Sequence, residues 1–488
     1  MLTTLLLSAA IAAQPAEPPQ DYAADARAAL TEHLARTPVT GRAKNVIVFV
    51  GDGMSTSTAT AARILDGQLR GVDGESNALS FEKFPYTGLS KTYSHDFQVS
   101  DSAATATAIM TGSKTRSGMI NVTLDAQPSD CGPDAPNRLQ SLAEIAETAG
   151  KATGLVSTAR ITHATPATVY AHVPERDWES DDDVPEGLRE SCPDIARQLI
   201  EWPAGDGLEL AMGGGRAGFL PEDMADPEHE GEFGNRLDGR DLTAEWVEQA
   251  GENGAYVWNR EQFDALDAAN APRVLALFEP SHMQYDADRA DDPAGEPSLS
   301  DMTAKAIDIL SADEDGFFLM VEGGRIDHAH HGGNAYRALT DAVAFSKAVE
   351  TALSKVDPAE TLIVVTADHG HTLTISGYPA RGNPILGLAA TPAAPLKAQD
   401  GKPYTTLGYA NGPGAVDGER PDLSDVDVRD KDFRQQALVP SGSETHTGDD
   451  VPIYAKGPWA HLLTGVVEQN YIFHAMRHAM TYEENAAE

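Results

Sequence analysis

The chain has 488 residues, 41% of them hydrophobic, and carries 36 Lys and Arg against 75 Asp and Glu, a formal charge of −39. That length buries a sizeable core, in one large domain with insertions or in two to three smaller ones. The acidic field repels polyanions and so excludes nucleic acid and anionic membranes as partners; adaptation to salty surroundings, where screening weakens self-repulsion, is one origin such a charge can have.

At the N-terminus, "MLTTLLLSAAIAAQPAEPP" holds an apolar run too short to span a bilayer, followed by small residues at Ala10-Ile11-Ala12. It reads as a secretory signal over residues 1–13, although no basic residue precedes Arg27. The Pro-rich "AQPAEPPQ" reads as a linker, and "DYAADARAALTEHLA" as an exposed amphipathic helix. No stretch is apolar enough for a transmembrane helix, and the final "EENAAE" offers nothing to direct a lipid anchor. The two cysteines, Cys131 and Cys192, are expected to form one disulfide if the chain is exported and to be buried thiols if it is not.

Further along, "KNVIVFVGDGMS" is a β-branched run broken by Gly51-Asp52-Gly53, and "SDSAATATAIMTGSK" predicts a helix that opens at Ser102 and closes near Gly112. Leu139, Leu142, Ile145 and Ala149 stand at helical spacing before Gly150 and the strand-like "TGLVST". A helix from Met302 to Leu310 leads into "FFLMVEGG", and a helix from Tyr336 to Lys355 leads into "TLIVVTADHGHT". Strands without alternation, interleaved with amphipathic helices, predict an open, doubly wound α/β core with a mainly parallel sheet and helices on both faces.

In such folds ligands bind beyond the carboxyl ends of the strands. Four strands here end in chemistry: Asp52; Thr158 to Thr165; Glu322; and Asp368, His369 and His371. The stretch "FFLMVEGGRIDHAHHGG" adds Asp327, His328, His330 and His331 within five residues of one another. Carboxylates packed this closely raise one another's pKa unless a cation intervenes, and mixed Asp and His ligands suit zinc while Asp, Glu and Thr oxygens suit magnesium. At any single position a strand-capping polar residue is an adequate explanation; for the set, metal binding is the better one. Ser102 at a helix N-terminus is by itself an ordinary cap, but beside such a cluster it is placed to meet a phosphate and to act as a nucleophile.

The segments "VGDGMS", "SDSAATATA", "THATPATVYAHV", "VEGGRIDHAHH", "TADHGHT" and "SGSETHTGDDV" resemble, in order, the motifs of the alkaline phosphatases, over about residues 44–451. Phrases such as "MGGGR", "VWNR", "LFEP" and "GGRIDHAHH" are closer to the animal-type enzymes than to the enteric bacterial form. The resemblance implies a periplasmic or secreted, homodimeric phosphomonoesterase working through a phosphoserine on Ser102 with two zinc ions and one magnesium, at an alkaline optimum. It places Asp327, His331 and His446 on one zinc, Asp52, Asp368 and His369 on the other, and Asp52, Thr165 and Glu322 on magnesium. Arg176 matches the arginine that clamps the phosphate. His163, His328 and His371 match supporting positions, and His330, which matches none, is expected at the solvent surface. A calcium site is implied at Glu228, the Phe278 carbonyl, Glu279 and Glu296, the last being Glu where the family usually has Asp. Residues 14–43 would form the linker and arm, 44–372 the catalytic core, 373–440 a crown over the site, and 441–488 the completion of the core.

Other functions fit less well. A sulfatase needs a Pro-containing, Arg-bearing motif after its modified residue, where this chain has "AATA" after Ser102. A phosphodiesterase would typically carry Thr as nucleophile and lack the magnesium set. A non-catalytic binding protein would be expected to have lost the nucleophile or a zinc ligand, and none is missing.

Overall fold

The computed structural model describes residues 21–131, 137–270 and 273–482. The expected signal and linker, residues 1–20, lie outside the described residues. The chain divides into a short unit ending at Thr37 and a large one starting at Pro38. The short unit is the helix Tyr22–Ala35, capped by the Asp21 carboxylate accepting from the Ala24 N–H at 3.0 Å. None of its residues is buried, and Leu30 and Leu34, one turn apart, are 59% and 79% exposed.

In the large unit the strands are β1 Asn45–Val50, β2 Tyr86–Lys91, β3 Ala152–Arg160, β4 Leu210–Gly214, β5 Gly254–Val257, β6 Arg273–Leu277, β7 Phe317–Glu322 and β8 Thr361–Thr366. They continue as β9 Gly370–His371, β10 Thr374–Ile375, β11 Leu407–Gly412, β12 Ala437–Pro440, β13 His446–Thr447, β14 Val451–Lys456 and β15 Gly465–Glu468. Ten of them form one sheet in the order β15-β2-β14-β8-β1-β7-β3-β4-β6-β5. Seven strands from β8 to β5 are parallel; β14 runs against both β8 and β2.

The lack of alternation in the strand sequences follows from burial on both faces. Ile47, Phe49, Leu319, Val321, Ile363 and Val365 face one apolar layer, which takes in residues of the helices Thr56–Leu69, Leu299–Leu310 and Ala335–Lys355. Val46, Val48, Phe318, Met320, Leu362 and Val364 face the other, with the helices Leu142–Thr148 and Tyr471–Thr481. Capping explains where sequence periodicity misplaces helix starts. Ser141 and Glu144 form a capping box, so that helix starts at Leu142 and leaves Leu139 outside. Ser298 and Asp301 form another, starting the next long helix at Leu299, ahead of Met302.

Strand ends fall in step: Glu322 sits opposite Val50 on one side and Ser157 on the other, and Thr366 lies opposite Val50. Because β14 is antiparallel, its entry lies at the same edge as the exits of its neighbours. The preceding β13 pairs with β9, setting His446 opposite His371. A separate small sheet, β10-β11-β12, belongs to the segment 373–440. Cys131 and Cys192 are joined in a disulfide with Cα atoms 5.6 Å apart.

Candidate metal centre and active site

Asp52 follows β1 in a turn where Gly53 adopts φ +67°, a left-handed conformation that β-carbon-free glycine tolerates, and where an added Cβ would run into the His371 ring. Glu322 ends β7; Asp327 and His331 lie one turn apart on the helix Arg325–His331. Asp368 and His369 follow β8 directly. All of these reach one cluster.

Its geometry asks for cations. The Nδ1–H of His331 donates to the Glu444 carbonyl at 2.6 Å, and that of His446 to the Ser100 carbonyl at 2.8 Å. Each ring therefore points a bare Nε2 inward, and the two nitrogens face each other at 3.1 Å, with Asp327 Oδ1 at 3.4 and 3.2 Å. Two imidazole nitrogens and a carboxylate oxygen converging at this range are a ligand set. Beside it, His369 Nε2 lies 3.3 Å from both Asp52 Oδ1 and Asp368 Oδ2 and 3.0 Å from Ser102 Oγ. Both Asp52 oxygens, Glu322 Oε1 and Thr165 Oγ1 are buried without a hydrogen-bond partner. Orphaned oxygens of this kind fit a hard cation such as magnesium.

Protonation follows from this crowding. Burial, then the charges of Asp368, Asp327 and Glu322, raise the Asp52 carboxyl well above its usual range. Burial pushes Glu322 up to about 8. Burial would raise Asp327 as well, but the charge and hydrogen bond of His371 hold it well below. His371 sits between two carboxylates, Asp327 Oδ1 at 2.7 Å and Glu444 Oε2 at 2.5 Å; burial opposes its charge, yet these partners lift it to about 9.

Ser102 is the first residue of the helix Ser102–Thr111, with Asp101 as its cap and Gly112 closing it in a left-handed turn. Arg176 lies beside it. One guanidinium nitrogen donates to Asp101 Oδ2 and the other reaches His163 Nε2, each at 3.1 Å. The guanidinium is thus held against the cap of the helix Ser102–Thr111. His163 and His328 approach each other at 5.3 Å, and burial lowers the pKa of both, that of His328 to about 3.

One expectation fails. His330 is fully buried: its ring is 4.8 Å from His371 and stacked on it, and its nitrogens reach Thr58 Oγ1 at 3.0 Å and Tyr409 OH at 2.8 Å. The helix Arg325–His331 turns that side chain toward the core, where β11 and the helix Thr56–Leu69 meet it. Sequence reasoning also passed over Glu444, which fixes His371 and accepts from the Thr372 N–H at 2.7 Å, and Asp101, which fixes Arg176. Ser157, whose hydroxyl donates to Glu322, was likewise unassigned. The register of Ser157 against Glu322 is a tertiary fact, but Glu444 stands two residues before His446 and was visible as a polar neighbour.

A second acidic cluster lies apart from this centre. Glu228 and Glu279 gather with His229, and Glu279 and Glu296 gather with Asp292, whose two carboxylate oxygens are buried and unpartnered. Phe278, which ends the run after β6, adjoins Glu279. Asp292 is a member that motif matching did not supply.

A family model described as alkaline phosphatase matches residues 43–482. The chain is 46% identical over 454 residues to the tissue-nonspecific alkaline phosphatase of Gallus gallus, covering 91% of this chain and 86% of that protein. Identity to the tissue-nonspecific isozyme of Homo sapiens is also 46%, over 90% of this chain and 84% of that protein. Among solved structures, the alkaline phosphatase of Thermus thermophilus superposes with a TM-score of 0.65 at 26% identity, covering 91% of this chain and 93% of that one.

Proposed function

The chain belongs to the alkaline phosphatase family, close to its animal-type members, and on that premise we propose that it hydrolyses phosphate monoesters through a covalent phosphoserine on Ser102, with two zinc ions and one magnesium. Asp327, His331 and His446 would hold one zinc, Asp52, Asp368 and His369 the other, and Asp52, Thr165 and Glu322 the magnesium. When bound, these ions neutralise the phosphate dianion and lower the pKa of the oxygen nucleophiles. Ser102 Oγ attacks phosphorus in line with the ester oxygen, which leaves with a proton as the alcohol. Water then attacks the phosphoserine, the bond to Oγ breaks, and Ser102 regains its proton as inorganic phosphate departs. The helix N-terminus at Ser102 turns backbone N–H groups toward phosphate oxygens. Arg176, held by Asp101, meets two more with its planar fork. Neutral His163 and His328 flank that fork without adding charge repulsion. His371, clamped by Glu444, sets the orientation of Asp327.

The observation that carries this reading is the convergence of the bare Nε2 atoms of His331 and His446 on Asp327, within one cluster with the Ser102–His369 contact. We read Glu228, the Phe278 carbonyl, Glu279 and Glu296 as a calcium site, residues 373–440 as the crown, and 44–372 with 441–488 as the core. The Cys131–Cys192 disulfide supports a periplasmic or secreted location, and among the described residues no helix is long and apolar enough to cross a membrane. The exposed helix Tyr22–Ala35 supports a homodimer, in which it would find cover. The test is turnover of an aryl phosphate monoester beside the matching bis-ester, with zinc- and magnesium-loaded protein. Monoester cleavage that collapses in Ser102→Ala is expected. Equal or faster bis-ester cleavage would move the assignment to a phosphodiesterase, and no hydrolysis of either would move it to a binding protein.

A further inference from the structure

The proposed zinc ligands come from separate elements, and contacts between those elements have to set their spacing. The turn after β1 lies so close to the His371 ring and to the Asp327 backbone that a Cβ added at Gly53 would strike the ring. The helix Arg325–His331 has little hold of its own: it is seven residues long with no side-chain hydrogen bond at its N-cap, so packing must fix its orientation. His330 stands on that helix between Asp327 and His331 and is fully buried. Its Nε2 meets Thr58 Oγ1 at 3.0 Å, and Thr58 Oγ1 meets Ser55 Oγ, also at 3.0 Å, in the helix that leaves the Asp52 turn and in its cap. Its Nδ1 meets Tyr409 OH at 2.8 Å, from β11 in the small sheet. Thr58 and Tyr409 are buried as well. The His330 ring lies 4.8 Å from that of His371 and stacks on it at 29°. Hydroxyl groups donate or accept as they rotate, so either tautomer of His330 is satisfied at both nitrogens.

We propose that His330, bracketed by the Thr58 and Tyr409 hydroxyls, is a positioning residue that fixes the helix carrying Asp327 and His331 against the turn carrying Asp52, and with it the spacing of the two zinc sites. The proposal deepens the metal-centre reading and rests on it. Removing either hydroxyl leaves one ring nitrogen buried without a partner, a cost the ring escapes only by moving. Any such movement disturbs the stack on His371, whose Nε2 holds Asp327 Oδ1 at 2.7 Å, and so reaches a first-site ligand through its own support. Tyr409 belongs to the segment 373–440, which thereby takes part in the metal centre through one hydroxyl group.

The test uses the full-length protein, stripped of metal and titrated with zinc against a chromophoric chelator, with cobalt(II) as a second, spectroscopic probe. Tyr409→Phe and Thr58→Val each remove one hydroxyl and keep the bulk of the side chain. Each is expected to weaken zinc binding roughly tenfold and to shift the visible absorption of the cobalt-loaded protein. A bracket fails when either end is lost, so the double variant should bind zinc about as weakly as either single one. Tyr404→Phe is the comparison: its hydroxyl donates to the Gly377 carbonyl at 3.1 Å in the same segment, so its loss should leave zinc binding and the cobalt spectrum unchanged even where it lowers the melting temperature. Should one single variant not fold, the other decides alone. Zinc binding within about twofold of the wild type in the bracket variants, an equal loss in Tyr404→Phe, or a double variant whose loss is the product of the two single losses overturns the proposal. Wild-type protein that binds no zinc in the same titration would instead overturn the metal-centre reading.

Discussion

Asp101 is the point at which the helix of Ser102, the proposed nucleophile, is joined to Arg176, the proposed phosphate clamp. Its carboxylate accepts from the Ala104 N–H at 3.3 Å, Ser117 Oγ at 3.0 Å, the Gly118 N–H at 3.0 Å and Arg176 Nη1 at 3.1 Å. Replacing it by Ala removes a helix cap, worth about 1 kcal/mol, and a charge-assisted hydrogen bond, worth about 1.5–3 kcal/mol. Arg176 keeps only His163, a neutral ring, as a neighbour on its other nitrogen. If half of the lost bond energy had gone into fixing the guanidinium, phosphate binding weakens by about 0.8–1.5 kcal/mol, or roughly four- to twelvefold. The assay is competitive inhibition by inorganic phosphate during aryl phosphate turnover. kcat is the wrong quantity, because weaker phosphate binding speeds product release wherever that step limits turnover. Asp101→Asn separates the two roles. Its amide oxygen still caps the helix from the Oδ1 position, while its NH2 takes the place of Oδ2 and confronts the Gly118 N–H as well as Arg176, so the cap is kept and phosphate inhibition should weaken as in Asp101→Ala. A folded Asp101→Ala enzyme whose phosphate inhibition constant stays within about twofold of the wild type refutes this role.

Glu147 is 7% exposed, with the Thr153 hydroxyl donating to it at 2.5 Å, and burial lifts its carboxyl from 4.5 to about 8. Its folded pKa lies above the unfolded one, so the stability contributed by the neutral form is complete below about pH 4.5 and is lost as pH rises through 8; Glu147→Gln should melt close to the wild type at pH 5 and above it at pH 9, and an equal gap at both would sink the argument. The disulfide closes a span of 61 residues, worth about 4 kcal/mol on the chain-entropy model, so a Cys131→Ser/Cys192→Ser protein should melt several degrees lower and lose its sensitivity to reductant. In Gly53→Ala the new Cβ collides with the His371 ring at a positive φ, and the expected result is at least a hundredfold loss of activity with less than full zinc by elemental analysis. Chelation should lower the melting temperature of wild type well beyond its effect on Asp327→Ala, read by calorimetry, because the site binds its ions only when folded.

The parallel core was legible because strands buried on both faces lose their alternation and helices keep theirs, so the two periods separate cleanly in the chain. The site was legible to the extent that it lies directly after strands: Asp52, Glu322, Asp368 and His369 each follow an apolar run. What escaped are contacts closed by the fold. His330 reads as polar and exposed beside three other polar residues, yet it packs under Tyr409, 79 residues away. Asp101 meets Arg176 from 75 residues away, and Ser157 meets Glu322 across 165. His282 carries no motif at all, but its ring lies 4.0 Å from His328 and 5.4 Å from His163, where the turn after β6 brings it to the flank of the clamp. Pairing at such separations depends on strand order, and strand order is not written in any local pattern.

The arrangement also explains why a chain this acidic must recruit its positive charge. Asp52, Glu322 and Asp368 are fully buried and Asp327 nearly so. The protein supplies little to offset them. His331 and His446 each direct Nδ1 at a backbone carbonyl and turn Nε2 inward; burial lowers His369 well below the usual imidazole range, so it stays neutral. His371 carries a charge, but it answers to Glu444 as well as to Asp327. Arg176 is tied to Asp101. Four buried carboxylates against one shared imidazolium is an unstable balance in a low-dielectric site, and surface lysines cannot reach it. The same placement of strand ends that gathers these carboxylates therefore leaves them to be balanced by cations from outside the chain.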